Sequence, residues 1–335
     1  MTLEQTKTVT TGSPITVEHV PCPGCGADGG ADGGADTYTL IGSGPDYENA
    51  CCGDQRFTMV QCSQCSIFYL NPRPTTDMLP IIYPADGYIC YNFSEKSSSL
   101  VARARERRNF NKVKPVLKYV QGDLKDLRVL DIGAGDGTLL RILQSGGIPA
   151  ENLTGVDIDT QAVEGLRRQG FNGVQARAED MDFPQGSFDL VTISHVIEHV
   201  ADPRRVMELA FRALKPGGVF WLETPNIAGW DWNLFKKGTW GGYHFPRHWT
   251  LFTPRTISRM LTESGFEVAE VSTLSATFVW VWSINHVLQE RGAKGAANFF
   301  RLDNFLALGF FWIFDMLPSM LGKSSNMRAV ARKKA

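Results

Sequence analysis

The sequence has no surplus of either charge: 34 Lys and Arg stand against 35 Asp and Glu, a formal net charge of −1. A balance this close excludes a globally basic, histone-like nucleic-acid binder, though it leaves a local basic patch open. There is no uninterrupted apolar run of the roughly 18–20 residues that a spanning helix needs. Met1 to Gly12 is Thr-rich without an apolar core, so no secretory signal is read there. Cysteine is sparse and odd in number, at seven in 335 residues, which excludes a disulfide-dense scaffold. Without an export signal, metal binding explains these cysteines better than disulfides do, and the expected location is the cytoplasm. With 43% hydrophobic and 21% charged residues, the chain is neither collagen-like nor wholly disordered. It is long enough for one large domain and a smaller one.

Four zones follow one another. Residues 1–20 read as a flexible tail. Residues 21–75 hold every cysteine except Cys90, together with the acidic, Gly-rich run Ala27–Asp36. Residues 76–125 form a basic helical connector that includes Arg103, Arg105, Arg107, Arg108, Lys112, Lys114 and Lys118. From 126 to 335, short apolar runs alternate with helical segments, the pattern of a doubly wound α/β sheet. Strands are expected at 128–132, 153–157, 173–176, 188–194, 218–223, 266–271 and 327–332. Helices fit at 138–145, 160–169, 203–214 and 256–264. An apolar insert at about 275–322 is far longer than an ordinary loop.

The segment Val129-Leu-Asp-Ile-Gly-Ala-Gly-Asp-Gly-Thr138 is a buried strand running into a glycine loop and then a helix. Glycines there let a ligand approach the backbone N–H groups at a helix start. Thr138 stands where a dinucleotide fingerprint would want Gly or Ala. Asp131 precedes the loop, where it would repel a pyrophosphate and attract an ammonium or sulfonium group. Asp157, at the end of the next strand, can accept both hydroxyls of a ribose.

With these residues the chain resembles the class I S-adenosylmethionine-dependent methyltransferases. The resemblance spans about 125–272 plus the final strand. It includes Gly155-Val-Asp-Ile-Asp159, Ala178-Glu-Asp180, Ser187-Phe-Asp-Leu-Val191, His195-Val-Ile-Glu-His-Val200, Leu214-Lys-Pro-Gly-Gly218 and Gly265-Phe-Glu-Val268. It implies a Rossmann-like, seven-stranded, doubly wound sheet with its last strand antiparallel. It implies cofactor contacts at Asp131, Gly133, Ala134, Gly135, Gly137, Asp157, Ile158, Ala178, Glu179, Asp180 and Ser194. Relatives carry an acid near position 177, where this chain has Arg177, so the adenine contact passes to Glu179 or Asp180.

Cys22-Pro-Gly-Cys25 and Cys62-Ser-Gln-Cys65 are two C-x-x-C knuckles whose four thiolates can close a tetrahedral zinc site. They resemble the small zinc ribbon that precedes the catalytic domain of some sugar and small-molecule methyltransferases. A site closed by four thiolates has no open position and is structural. Cys51 and Cys52 read as loop residues or alternate ligands.

Methyl transfer needs an aligned acceptor and, for a hydroxyl or carbon acid, a base. His244 and His248, with Arg247, lie on a loop expected over the cofactor crevice and are the favoured substrate-side residues. The competing reading is a packed lid in which they bond to backbone carbonyls. His195 ends a strand, and His199 is placed one turn on in a helix; a structural role is as plausible for both. Ser-His-Val-Ile at 194–197 replaces the tetrad that base-amino methyltransferases carry, so DNA is not expected as substrate. The preferred acceptor is a hydroxyl or carbon of a sugar, glycan precursor or related metabolite, with a nucleotide or lipid link left open. The alternatives are RNA base methylation aided by the zinc module, and a non-catalytic zinc-ribbon scaffold. The apolar insert is expected as a buried helical hairpin or a homodimer face, with peripheral membrane contact open.

Overall fold

The structure, a computed structural model, describes residues 14–28, 37–83, 110 and 113–335. Most of the expected tail, most of the acidic glycine run, and the basic residues Arg103 to Lys112 lie outside the described residues. The chain divides into two compact units, and the division departs from the expected one. Met1–Tyr88 group with Asp231–Leu251 and Thr277–Phe314, whereas Ile89–Trp230, Phe252–Ala276 and Asp315–Ala335 form the other unit.

In the first unit, β1 (Val17–Glu18) pairs antiparallel with β5 (Arg73–Pro74). A second sheet runs β11-β4-β3-β2, formed by β2 (Tyr38–Gly44), β3 (Phe57–Cys62), β4 (Phe68–Leu70) and β11 (Thr250–Leu251). Thr250 pairs with Tyr69 and Leu251 with Phe68, so a segment from far down the chain completes this four-stranded sheet. The strand β3 reads Phe-Thr-Met-Val-Gln-Cys, with Phe57, Met59 and Val60 buried, an apolar pattern that fits a half-buried antiparallel strand.

The second unit is the expected sheet. Its strands are β6 (Val129–Ile132), β7 (Leu153–Asp157), β8 (Asn172–Gln175), β9 (Phe188–Ser194), β10 (Leu214–Pro225), β12 (Glu267–Leu274) and β13 (Asn326–Arg332). They lie in the order β12-β13-β10-β9-β6-β7-β8. Only β13 runs antiparallel, with Val330 opposite Trp221 on β10 and Ala329 opposite Val271 on β12. Strands β6 and β7 are buried end to end, the run expected of a parallel sheet covered on both faces. The helices are α1 (Thr138–Ser145), which starts after Gly137 in the left-handed conformation, and α2 (Thr160–Arg168), α3 (Pro203–Ala213) and α4 (Pro254–Glu263), which begin where side chains supply caps. Asp159 accepts from the Ala162 amide, Asp202 from that of Arg205, and Thr253 forms a capping box with Thr256. Val113 and Val116, from the end of the expected connector, pack in this core with Leu127, Val129 and Leu140. The order turns back on itself between β6 and β9, which makes their carboxyl ends the switch point where α/β sheets bind ligands.

The insert consists mainly of α5 (Thr277–Glu290) and α6 (Phe305–Met320). The expectation of a buried hairpin holds for α5, where Val279, Trp280, Val281, Ser283 and His286 are buried. It fails for α6, where Ala307, Phe311 and Asp315 are the buried residues and the apolar side chains around them are exposed. Among the described residues, no helix is long and apolar enough to cross a membrane.

The first unit is tied by Arg247, which is fully buried. Its two terminal nitrogens each donate to one oxygen of buried Asp46 at 3.0 Å, and its Nε donates to the Ile82 carbonyl at 2.8 Å. Asp46→Ala should strand the guanidinium and cost about 3–5 kcal/mol. Asp46→Leu with Arg247→Met should cost less than Asp46→Ala alone. Urea unfolding of both variants checks this; a loss below about 1 kcal/mol for Asp46→Ala would be the size of an exposed pair and would contradict it.

Candidate functional site

Strand β6 delivers Asp131 to the switch point and the chain then enters the glycine loop. The amides of Gly133 and Ala134 donate to the Val156 carbonyl at 2.8 and 3.0 Å, tying the loop to β7. Gly133, Gly135 and Gly137 all have positive φ. They are needed for different reasons. A Cβ on Gly133 would lie 2.2 Å from Val196 Cγ2, and one on Gly137 2.7 Å from Leu166 Cδ2. A Cβ on Gly135 would meet nothing within 4 Å, so that glycine faces open space.

Two buried acids stand beside this opening, and neither forms an ion pair with a described residue. Asp131 accepts from the Thr192 hydroxyl at 2.7 Å. Burial pushes its carboxyl up to about 7, the Thr192 bond opposes the rise, and the charge of Asp157 adds to it. Asp157 accepts from the Gly135 amide at 2.8 Å and from that of Asp159 at 2.9 Å. Burial raises its carboxyl too, against the amides of Asp159 and Gly135. Ile158 follows as an exposed apolar side chain. Ala178, Glu179 and Asp180 form one short 3-10 turn. Glu179 takes the Ala201 amide at 2.7 Å and lies 3.4 Å from Arg177, so its carboxylate already has partners. Asp180 is the more exposed of the two acids.

Ser194 ends β9, and His195 follows with φ +53°, a conformation rare for a residue with a Cβ. His195 Nδ1 lies 3.3 Å from Glu198 Oε1, while the ring is 38% exposed. Glu198 is fully buried, and its second oxygen accepts from the Thr224 hydroxyl at 3.0 Å. Burial drives the imidazole down, but the bond and charge of Glu198 outweigh it and hold His195 above its ordinary value. Glu198 is correspondingly lowered despite its burial. His199 lies in a turn and not in the expected helix, because α3 starts only at Pro203, with the Asp202 cap before it.

His244 and His248 lie in the first unit and are buried. His248 Nδ1 is 2.8 Å from the Gly242 carbonyl. His244 stacks on Trp282 and its Nδ1 is 3.4 Å from Glu48 Oε1. His286 approaches the same oxygen at 3.1 Å and stacks on Tyr47. Burial would raise Glu48, yet the charges of His244 and His286 hold it well below the usual range. His244, Arg247 and His248, the residues expected on the substrate side, are thus buried and carry internal partners. Glu48, His286 and Glu198 were missed by the sequence reading. Glu198 stands inside the quoted His195–Val200 segment, three residues from its partner, and that spacing was available as a signal.

The four knuckle cysteines come together. Cys22 and Cys65 have sulfurs 3.3 Å apart, Cys25 and Cys62 3.7 Å, and all four lie within 4.8 Å of one another. Tetrahedral zinc with bonds of about 2.3 Å sets sulfurs roughly 3.8 Å apart. A Cβ on Gly24 would lie 2.5 Å from Ile67 Cδ1 and 3.0 Å from Cys65 Sγ, which explains glycine in the first knuckle. Cys51 and Cys52 belong elsewhere, with the Cys51 thiol 3.0 Å from Asp46 Oδ2.

Known proteins share the sheet unit. A family model described as a methyltransferase domain matches residues 101–271. The ubiquinone biosynthesis O-methyltransferase of Neisseria meningitidis serogroup C is 27% identical over 216 residues, covering 58% of this chain and 87% of that protein. The protein of the same name from Bordetella avium is 31% identical over 199 residues, covering 52% and 79%. A solved SAM-dependent methyltransferase from Archaeoglobus fulgidus covers 68% of this chain and 94% of its own, at 20% identity and a TM-score of 0.44. With the family model covering just over half of its length, the chain belongs to the methyltransferase-domain family and is an S-adenosylmethionine-dependent methyltransferase.

Proposed function

We propose that the protein methylates a hydroxyl of a small molecule, with His195 as the base. The observation that carries this is the His195–Glu198 pair at the carboxyl end of β9: a partly exposed imidazole whose Nδ1 is held by a fully buried carboxylate. Similarity to proteins named O-methyltransferases favours oxygen over carbon as the acceptor. A sugar or glycan acceptor, the preference from sequence, has no support from these relatives.

The glycine loop fits the cofactor. Gly135 leaves room at the backbone, Asp157 can receive ribose hydroxyls, Ile158 and Asp180 can meet the adenine, and buried Asp131 offers an unpaired acid toward a cation. When bound, S-adenosylmethionine supplies a methyl group on a sulfonium. The chain then has to orient the acceptor, keep the ionised acids near the cation, and move one proton. His195 would take the acceptor's hydroxyl proton as the oxygen–methyl bond formed and the methyl–sulfur bond broke to leave a neutral thioether, and Glu198 would stabilise the resulting imidazolium. The ribbon cysteines suit a structural zinc that stiffens the first unit.

Three outcomes test these assignments. Cofactor affinity should fall as pH drops from about 8 to 6, because Asp131 takes up a proton near 7. Calorimetry in buffers of different ionisation enthalpy should show proton release on binding, lost in Asp131→Asn. Affinity flat across that range would remove Asp131 from the site. His195→Ala should lower turnover about 10²–10⁴-fold while cofactor binding persists. In wild type, kcat/KM should rise with pH through the elevated pKa of His195; in Glu198→Gln, the inflection should move to lower pH. An unchanged inflection would mean that another group titrates. Purified protein should hold about one zinc per chain, and Cys62→Ser should lose both the metal and thermal stability. Elemental analysis of freshly prepared protein reads the first directly, and finding no metal would refute it.

A further inference from the structure

Helix α6 is the least explained surface among the described residues. From Phe305 to Phe314 it carries no charge, and Trp312 Nε1 is its single polar side-chain atom. Its buried residues, Ala307, Phe311 and Asp315, recur every four positions and make one narrow stripe. Every other face is apolar and open: Phe305 is 85% exposed, Phe310 63% and Ile313 67%. From that stripe Phe311 stacks on Trp280 of α5 with ring centroids 5.7 Å apart. Between the two helices opens an apolar pocket of about 400 Å³, lined by Ile284, Phe299, Phe300, Leu306, Phe310 and Phe311 among others. Exposed apolar patches of this extent mark interaction sites.

We propose that α6 and this pocket form a membrane-surface site that inserts into the outer part of a lipid layer with anionic head groups, the pocket taking a hydrocarbon chain. Geometry favours lipid over a second copy of the chain. A protein partner covers one side of a helix and brings about one hydrogen bond per 100–200 Å². Here three sides are exposed, and there is almost nothing on them to bond. At 16 residues the helix is roughly 24 Å long, short of the ~30 Å hydrocarbon core, so it lies in the layer rather than across it. Exposed cations accompany it in the same unit. Arg291, Lys294 and Arg301 lie on the segment that leads from α5 into α6. Opposing them are Glu290, which pairs with Arg56, and Asp303, which pairs with Arg301. In a chain of net charge −1, that local excess of positive charge suits anionic head groups.

The site is independent of the acceptor's identity, so it can be tested without turnover. The full chain is floated with vesicles of phosphatidylcholine alone or mixed with phosphatidylglycerol. It should rise with the mixed vesicles, and Phe310→Asp with Ile313→Asp should cut the bound fraction about tenfold. The same variant should keep its thermal midpoint and its calorimetric affinity for S-adenosylmethionine, which separates lost lipid binding from misfolding and from failure of the methyltransferase site. Lys294→Glu with Arg301→Glu should weaken binding to the mixed vesicles. Failure to float with either vesicle would overturn the proposal. So would a dimer by light scattering that Ile313→Asp dissolves, since the face would then belong to a second copy.

Discussion

Arg247 gathers three stretches of chain that are far apart in sequence. Its fork closes on Asp46, its Nε reaches the Ile82 carbonyl, and a further bond joins the Phe245 carbonyl beside it. A guanidinium removed from water survives only if nearly every donor finds an acceptor, so each of these contacts constrains the others. Exchanging such a pair for well-packed apolar groups is often harmless to stability, which points to specification as its use. It selects one arrangement of three segments, around Asp46, Ile82 and Arg247, that have no local reason to meet. Glu48 extends the arrangement by drawing His244 and His286 to one carboxylate oxygen.

The sheet unit was legible because its signals are local. The strand at 188–194 and the helix at 138–145 lie where the apolar runs and the glycine loop placed them. The long strand β10 outruns its expected bounds at both ends because Lys215-Pro-Gly-Gly218 is absorbed as an irregularity in its pairing with β9. The first unit was legible only in its cysteines, whose sulfurs come together. Nothing in the periodicity of 231–251 indicates that it completes a sheet begun near residue 38, since strand pairing across such a distance leaves no mark within either segment. For the same reason the sequence could not show the partners of His244 and His248: two imidazoles and an arginine within five positions resemble a site, and their burial against Glu48 and the Gly242 carbonyl is set by tertiary structure.

The candidate site in the sheet unit combines two kinds of constraint. Backbone geometry sets the opening, through glycines that cannot be replaced without meeting Val196 or Leu166. Charge sets what can fill it, through buried acids that form no ion pair among the described residues. The same device recurs beside His195, where a buried carboxylate is matched by an imidazole and a hydroxyl. In each case a costly burial is relieved by a ligand or a proton, and a site of this kind discriminates more by the charge of what enters than by its shape.

The order of segments along the chain bears on synthesis. Asp46 leaves the ribosome 201 residues ahead of Arg247, a wait of roughly 10–40 s at 5–20 residues per second. Throughout it, β2, β3 and β4 are present without the strand or the cation that completes their unit. The sheet waits in a similar way, because β13 must enter between β10 and β12 after the apolar helices have emerged. The nascent chain therefore carries an open sheet edge and an uncovered aromatic helix at the same time, and holdase chaperones have a defined interval in which to bind it.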